Sequence, residues 1–217
     1  MVNIFFIDFE TTGLNPYHNH PIEVAIKKLD SDNYYQTFIK PPINGIHYKY
    51  VSPKIQSITN ITDEMIEENG IDNDTATFNI LEYIKVNSEE GDIYMVAHNG
   101  ICFDFLILKK LFRDYGNHIN KRITRRNSLD KSVINRIKFI DSLLLSRLSI
   151  KGESYSQPSL CRRFGIKNEQ EHRAIGDILA LEELYGKLTL HLSYSNNSNE
   201  DVFKNNPYEV YKQTNIC

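Results

Sequence analysis

The sequence predicts a mixed α/β domain whose β-sheet begins as antiparallel hairpins, continues with parallel strands and is flanked by α-helices. Three observations carry this. Short runs of β-branched and aromatic residues, separated by turn residues, crowd the segment up to Ile39. After Pro41-Pro42, short apolar runs alternate with stretches of helical period. At 217 residues, 41% of them hydrophobic, the chain is long enough to enclose one full-sized core.

Taken in order, residues 3–9 read as a buried strand, and Gly13-Leu14-Asn15-Pro16 as a turn or loop. Ile22, Val24 and Ile26 alternate with polar or small residues, the pattern of a half-buried strand. Asp30-Ser31-Asp32-Asn33 then turns the chain into a third strand over 34–39. Past the two prolines a loop region leads to two helices. One starts near Thr62 with Asp63 and Glu64 in its first turn, the other near Thr75 with Phe78, Leu81 and Ile84 on one face. Residues 93–97 form a further buried strand, 103–115 a helix, 137–140 another strand, 142–148 a short helix and 173–190 the last strong amphipathic helix. The domain is expected over 1–190. The tail over 191–217 is polar, without period and expected to be flexible. Residues 117–136 carry Lys121, Arg122, Arg125, Arg126, Lys131 and Arg136 against Asp130 alone, and are expected to form a basic loop.

The formal net charge of −3 gives no global basic footprint, which argues against a dedicated nucleic-acid coat protein. It does not argue against an enzyme that grips a few nucleotides and releases them. Cys102, Cys161 and Cys217 form no C-x-x-C pair, which points to a reducing compartment and away from a disulfide or zinc framework. The apolar start is too short for a signal peptide, and no stretch approaches the roughly 20 apolar residues needed to span a bilayer. The expectation is an intracellular protein, cytoplasmic or nuclear, with no membrane association.

Three segments place acids where the pattern predicts core. Asp8 and Glu10 are two apart on a strand and so face the same side. Side by side they repel and lose solvation, which a cation would relieve; two solvated acids at a strand exit are the alternative. Asp104 shares a helical face with Ile107, Leu108 and Leu111, or else caps that helix. Asp177 lies on one face with Ala174, Leu181, Leu184 and Leu188. His172, five positions earlier, would point away from that face on a continuous helix, so it belongs on the loop leading in. Most single histidines are surface or satisfied core residues; the neighbouring acid singles this one out. Oxygen-only ligands select a hard cation, Mg²⁺ or Mn²⁺, and two such ions can hold a phosphodiester.

Asp8-x-Glu10-Thr11-Thr12-Gly13, Asn99 through Phe103-Asp104, and His172-x-Ala174-x-x-Asp177 resemble the three motifs of the DEDDh 3′→5′ exonucleases, in content and in order. Ile58 to Met65 and Ser159 to Ile166 resemble the proofreading epsilon branch of bacterial DNA polymerase III. The resemblance spans residues 3–190 and implies an RNase H-like fold. It implies that Asp8, Glu10, Asp104 and Asp177 hold two Mg²⁺ or Mn²⁺ ions, with His172 as general base. It further implies that Thr11, Thr12, Gly13, Leu14, Ile61 and Asn99 contact the terminal nucleotide, and that products are nucleoside 5′-monophosphates. Polarity and product come from the resemblance and not from spacing.

Two departures stand out. Asn60 occupies the position where the family usually has Gly before isoleucine, and the stretch between the Asp104 helix and the next strand is longer and more basic. The substrate expected is the 3′ end of single-stranded or frayed DNA, with a DNA polymerase as partner. The oligoribonucleotide branch generally carries Met where Thr11 stands. An RNA 3′-end exonuclease with the same site is the alternative, and a non-catalytic nucleic-acid-binding module and a small-molecule phosphoesterase are rivals. Residues 117–136 either reach the substrate through phosphate contacts from Arg125 and Arg126 or form a solvated surface loop. Neutralising both arginines is expected to weaken substrate binding and flatten its salt dependence; an unchanged KM and salt slope would make the segment bystander surface.

Overall fold

Strand β1 (Asn3–Thr11) organises the molecule because both its faces are covered. In the computed structural model, which describes residues 2–42, 49–120 and 126–195, with backbone alone at 119–120, 126–130 and 193–195, Ile4 and Phe6 point to one layer of helices and Phe5, Ile7 and Phe9 to the other. Period-2 alternation therefore sorts one apolar run into two cores. β2 (Pro21–Lys28) and β3 (Tyr34–Phe38) add to β1 as antiparallel neighbours, while β4 (Ile93–Ala97) and β5 (Ile137–Asp141) add in parallel. The sheet order is β3-β2-β1-β4-β5, the mixed arrangement of antiparallel hairpins followed by parallel strands that the sequence predicts.

Helices α1 (Pro53–Thr59) and α2 (Asp63–Asn69) follow β3, then α3 (Asn73–Asn87) precedes β4. Between β4 and β5 lie α4 (Asp104–Asn120) and α5 (Arg126–Arg136); α6 (Ser142–Ser149), α7 (Gln157–Phe164) and α8 (Ala174–Ser195) follow β5. The α3, α4 and α5 side chains fill the Phe5 face; those of α6, α7 and α8 fill the Phe6 face. A third, small cluster of Ile22, Tyr50, Val51, Ile61 and Ile66 packs beside the sheet.

Five elements differ from expectation. β2 is buried from Pro21 through Lys27 and not on one face alone, because α8 covers the side that carries Glu23. Residues 126–136 form helix α5 where a loop was expected; among its described side chains Val133 and Ile134 pack on the core, in a basic sequence that shows no helical stripe. α1 falls in the expected loop region, yet Ser52 accepts the Ile55 N–H and Asn60 ends the helix in a left-handed conformation. α7, bounded by Ser156 and a left-handed Gly165, is likewise additional. α8 continues to Ser195, five residues beyond the expected end; of the tail, 196–217 lie outside the described residues.

No described helix is long and apolar enough to cross a membrane. Phe6 is fully buried with its ring edge-on to Tyr185, centroids 5.6 Å apart. Phe6→Ala is expected to cost about 3–5 kcal/mol, read as a lower urea midpoint at unchanged slope. A loss below about 1 kcal/mol would mean the β1–α8 layer is not a packed core.

Candidate active site

The C-terminal ends of β1, β4 and β5 point to the same edge of the sheet, the edge where α/β folds place ligands. β1 delivers Asp8 and Glu10 there, continuing the face of Ile4 and Phe6 toward α8. The β1/β2 register is irregular between Glu10 and Thr11, a local bend of the kind that re-aims side chains at a sheet edge. α8 delivers Asp177 from its first turn. Asp8, Glu10 and Asp177 each offer a carboxylate oxygen, and these atoms all lie within 4.8 Å of one another.

Asp104 arrives from the other layer. It is the first residue of α4, 3% exposed, and its Oδ1 accepts the Phe9 N–H at 3.1 Å. That partner lies between Asp8 and Glu10 in the chain, so the acid bridges to β1 instead of serving α4 alone.

His172 sits in the turn before α8, half exposed, with φ of 63°. A non-glycine residue in the left-handed region is costly and is held by its surroundings. Here Asn168 donates to Asp177 Oδ1 at 2.7 Å, and Gln157 donates to the Asp177 carbonyl at 2.8 Å. Gly176 is required by a close approach: a Cβ there would lie 2.3 Å from the Gln170 carbonyl oxygen. The turn is thus pressed against the start of α8, which leaves His172 on the rim. A cleft of 790 Å³ is lined by Asp8, Asp177, His172, Leu14, Asn99 and Arg147, among others.

Asn99, also at positive φ (59°), is exposed, and its N–H bonds Asp141 Oδ1 at 3.0 Å. Asp141 also accepts the Ile101 and Leu143 N–H groups, so this buried acid shapes the β4–α4 loop and caps α6 together. His98 is held between Ser142 Oγ and the Tyr155 carbonyl, each at 2.9 Å. A carbonyl can only accept, so Nε2 carries the proton, and burial lowers the pKa of the ring, favouring the neutral form.

Burial is the largest cause of a raised pKa at all four acids. Asp8 is held well above the usual carboxylate range by burial, then by Asp104 and Asp177. Glu10 is raised to about 8 by burial, then by Asp177 and Glu23. Asp104 is raised to about 7 by burial, against the opposing Phe9 N–H, and Asp177 to about 6, against the Asn168 amide. Such a group is able to accept a cation in place of protons.

The residues expected to hold a terminal nucleotide divide. Leu14 is 89% exposed over the cleft and Asn99 borders it. The Thr11 hydroxyl bonds the Gly13 carbonyl at 2.6 Å, and the Thr12 hydroxyl accepts the His20 N–H at 3.0 Å, so both serve the loop after β1. A Cβ on Gly13 would meet the Asn19 side chain at 2.8 Å, so glycine keeps this loop tight. Ile61 corrects the expectation: it is fully buried in the small third cluster and presents no side-chain surface to a nucleotide. Arg125 lies outside the described residues, as does the Arg126 side chain. Sequence reasoning missed Asp141, although it ends an apolar strand as Asp8 does, and also missed Glu23, Arg173 and Asn168.

The RNase T family model, described as an exonuclease, matches residues 5–185. DNA polymerase III PolC-type of Mycoplasma genitalium is 31% identical over 184 residues, covering 82% of this chain and 11% of that protein. DNA polymerase III subunit epsilon of Buchnera aphidicola is 28% identical over 198 residues, covering 86% of this chain and 74% of that protein. The chain therefore spans only 11–13% of the length of the PolC-type relatives it matches. The crystal structure of E. coli exonuclease I in complex with a dT13 oligonucleotide shares the fold, with a TM-score of 0.66 at 16% identity over 98% of this chain and 43% of that one. Since the family model extends over most of its length, the chain belongs to the RNase T family of exonucleases.

Proposed function

We propose that this chain is a metal-dependent 3′→5′ exonuclease that hydrolyses the terminal phosphodiester of single-stranded or frayed DNA and releases nucleoside 5′-monophosphates. The observation that carries the reading is the convergence of Asp8, Glu10 and Asp177 oxygens within 4.8 Å of one another, beside a cleft that Asp8, Asp177 and His172 line. The donor set fits a hard divalent cation: carboxylate oxygens alone, crowded and partly desolvated. Asp8, Glu10 and Asp177, with Asp104 behind them, would hold two Mg²⁺ or Mn²⁺ ions. When bound, such ions neutralise the acids, polarise the scissile phosphate and favour ionisation of the attacking water.

The chain's own groups supply the rest. His172 stands at the mouth of the cleft, where its imidazole can take the proton of the attacking water. Leu14 offers an apolar surface that a terminal base can stack on without reading its identity. DNA is preferred over RNA as substrate because Glu10-Thr11-Thr12-Gly13 resembles the proofreading branch and the polymerase III relatives align across the chain. The same relatives support a DNA polymerase as working partner.

Incubation of 3′- and 5′-labelled single strands with Mg²⁺ or Mn²⁺ tests metal need, polarity and product together. Mononucleotides are expected from the 3′ end, lost on chelation and reduced by orders of magnitude in Asp8→Ala; activity that survives both changes contradicts the reading. Faster turnover of RNA than of matched DNA would overturn the substrate. His172→Gln is expected to lower kcat by roughly 10²–10⁴-fold with little change in KM.

The raised carboxylates also predict a pH dependence. Their folded pKa values exceed the unfolded ones, so the folded state binds more protons between the usual carboxylate range and about 6 to 8. Stability of the metal-free protein is therefore expected to fall as pH rises through that window. The Tm should be lower at about pH 8.5 than at about pH 5.5, and Mn²⁺ should restore it at the higher pH. Asp8→Asn should shrink the pH effect and the metal effect together; a metal-free Tm that rises with pH would contradict the electrostatic account.

A further inference from the structure

Glu23 is a carboxylate with no exposed surface in the middle of a strand buried on both faces. Such a group is costly unless its lone pairs are satisfied. Here four donors converge on it. Gln36 Nε2 and Arg173 Nη2 each reach Oε1 at 2.7 Å, while Arg173 Nε and the Ala174 N–H reach Oε2 at 3.1 Å. Arg173 thus engages it as a two-pronged fork, the strongest geometry for this pair, and its guanidinium also lies over the Phe38 ring, 5.4 Å from the centroid.

Three of the four donors come from Arg173 and Ala174, the residues that open α8. Asp177 follows Ala174 by three positions, on the same side of the helix. His172 immediately precedes Arg173 and holds a left-handed backbone. On the other side of the contact, Glu23 is the direct cross-strand partner of Glu10, so the two side chains share a face of the sheet. The pair therefore links the strand position beside Glu10 to the turn that carries His172 and the helical turn that carries Asp177.

We propose that the Glu23–Arg173 pair is the positioning device of the carboxylate centre, clamping the first turn of α8 to β2 so that Asp177 and His172 meet Asp8 and Glu10 at ion-holding separation. Neither residue of the pair is required to touch substrate. The inference rests on the metal-dependent reading above. It differs from a second ionic link between α8 and the sheet among the described residues, Lys27 with Glu182, which lies two helical turns farther along and away from the acids.

The test is calorimetric titration of Mn²⁺ alone into the full chain, at a temperature where each variant is folded by circular dichroism. Glu23→Gln and Arg173→Lys are each expected to weaken Mn²⁺ binding by about 10–100-fold, as loss of a group that orients metal ligands does. Both should lower kcat more than they raise KM. Lys27→Met, which breaks the distal link, should lower Tm while leaving Mn²⁺ affinity unchanged. Should Glu23→Gln not fold, Arg173→Lys, which keeps the charge and removes the fork, decides the matter. Wild-type affinity in a folded Arg173→Lys variant, or an equal loss in Lys27→Met, overturns the positioning role. Absence of Asp8-dependent Mn²⁺ binding in the wild-type chain would instead sink the functional reading itself.

Discussion

Asp8, Glu10 and Asp177 bring carboxylate oxygens within 4.8 Å of one another, and Asp104, bound to the Phe9 N–H, adds its charge from the opposite layer. At the effective dielectric of about 20 that suits such sites, two unit like charges at this separation repel by roughly 3 kcal/mol. Burial adds to the repulsion, being the largest cause of the raised pKa at each of the four. The polypeptide offers partial relief: the Phe9 N–H to Asp104, the Asn168 amide to Asp177, and the Arg173 guanidinium near Glu10. That guanidinium is already committed to Glu23. Protons relieve the remaining repulsion at low pH, and at higher pH a bound divalent cation would do the same.

The architecture follows from how these acids are delivered. β1 alternates, so one face that begins with Ile4 and Phe6 ends in Asp8 and Glu10. α8 packs on that face and brings Asp177; α4 packs on the other and reaches the strand end through its first residue. Parallel pairing of β1, β4 and β5 brings their C-terminal ends to one edge, where Asp141 ties the loop after β4 to the start of α6. Fold and site are in this sense one arrangement, with the cores on either side holding the acids in place.

Much of this was legible in the residues. The four acids stood out because each broke an apolar pattern, and a broken pattern at several distant points is a physical signal. His172 was legible because a five-residue offset cannot share a helical face with Asp177. What stayed hidden has particular causes. Glu23 looked like the solvent side of an alternating strand, since a sequence does not reveal that a second helical layer covers that side. Arg173 was hidden with it. α5 has a polar, basic sequence, so no apolar period announced it. Ile61 carried a role by resemblance, but the role of a side chain depends on which surface it finds, and here it fills a small core with Ile22 and Ile66.

If three distant segments of the chain form one divalent-ion site, diffraction can locate the ions directly. Crystals of the chain grown with Mn²⁺ and measured at the manganese absorption edge should show anomalous density in contact with Asp8, Glu10 and Asp177, with two peaks about 4 Å apart once a nucleotide is present. Density absent from this position, or an ion held elsewhere while the four acids stay empty, would contradict the account.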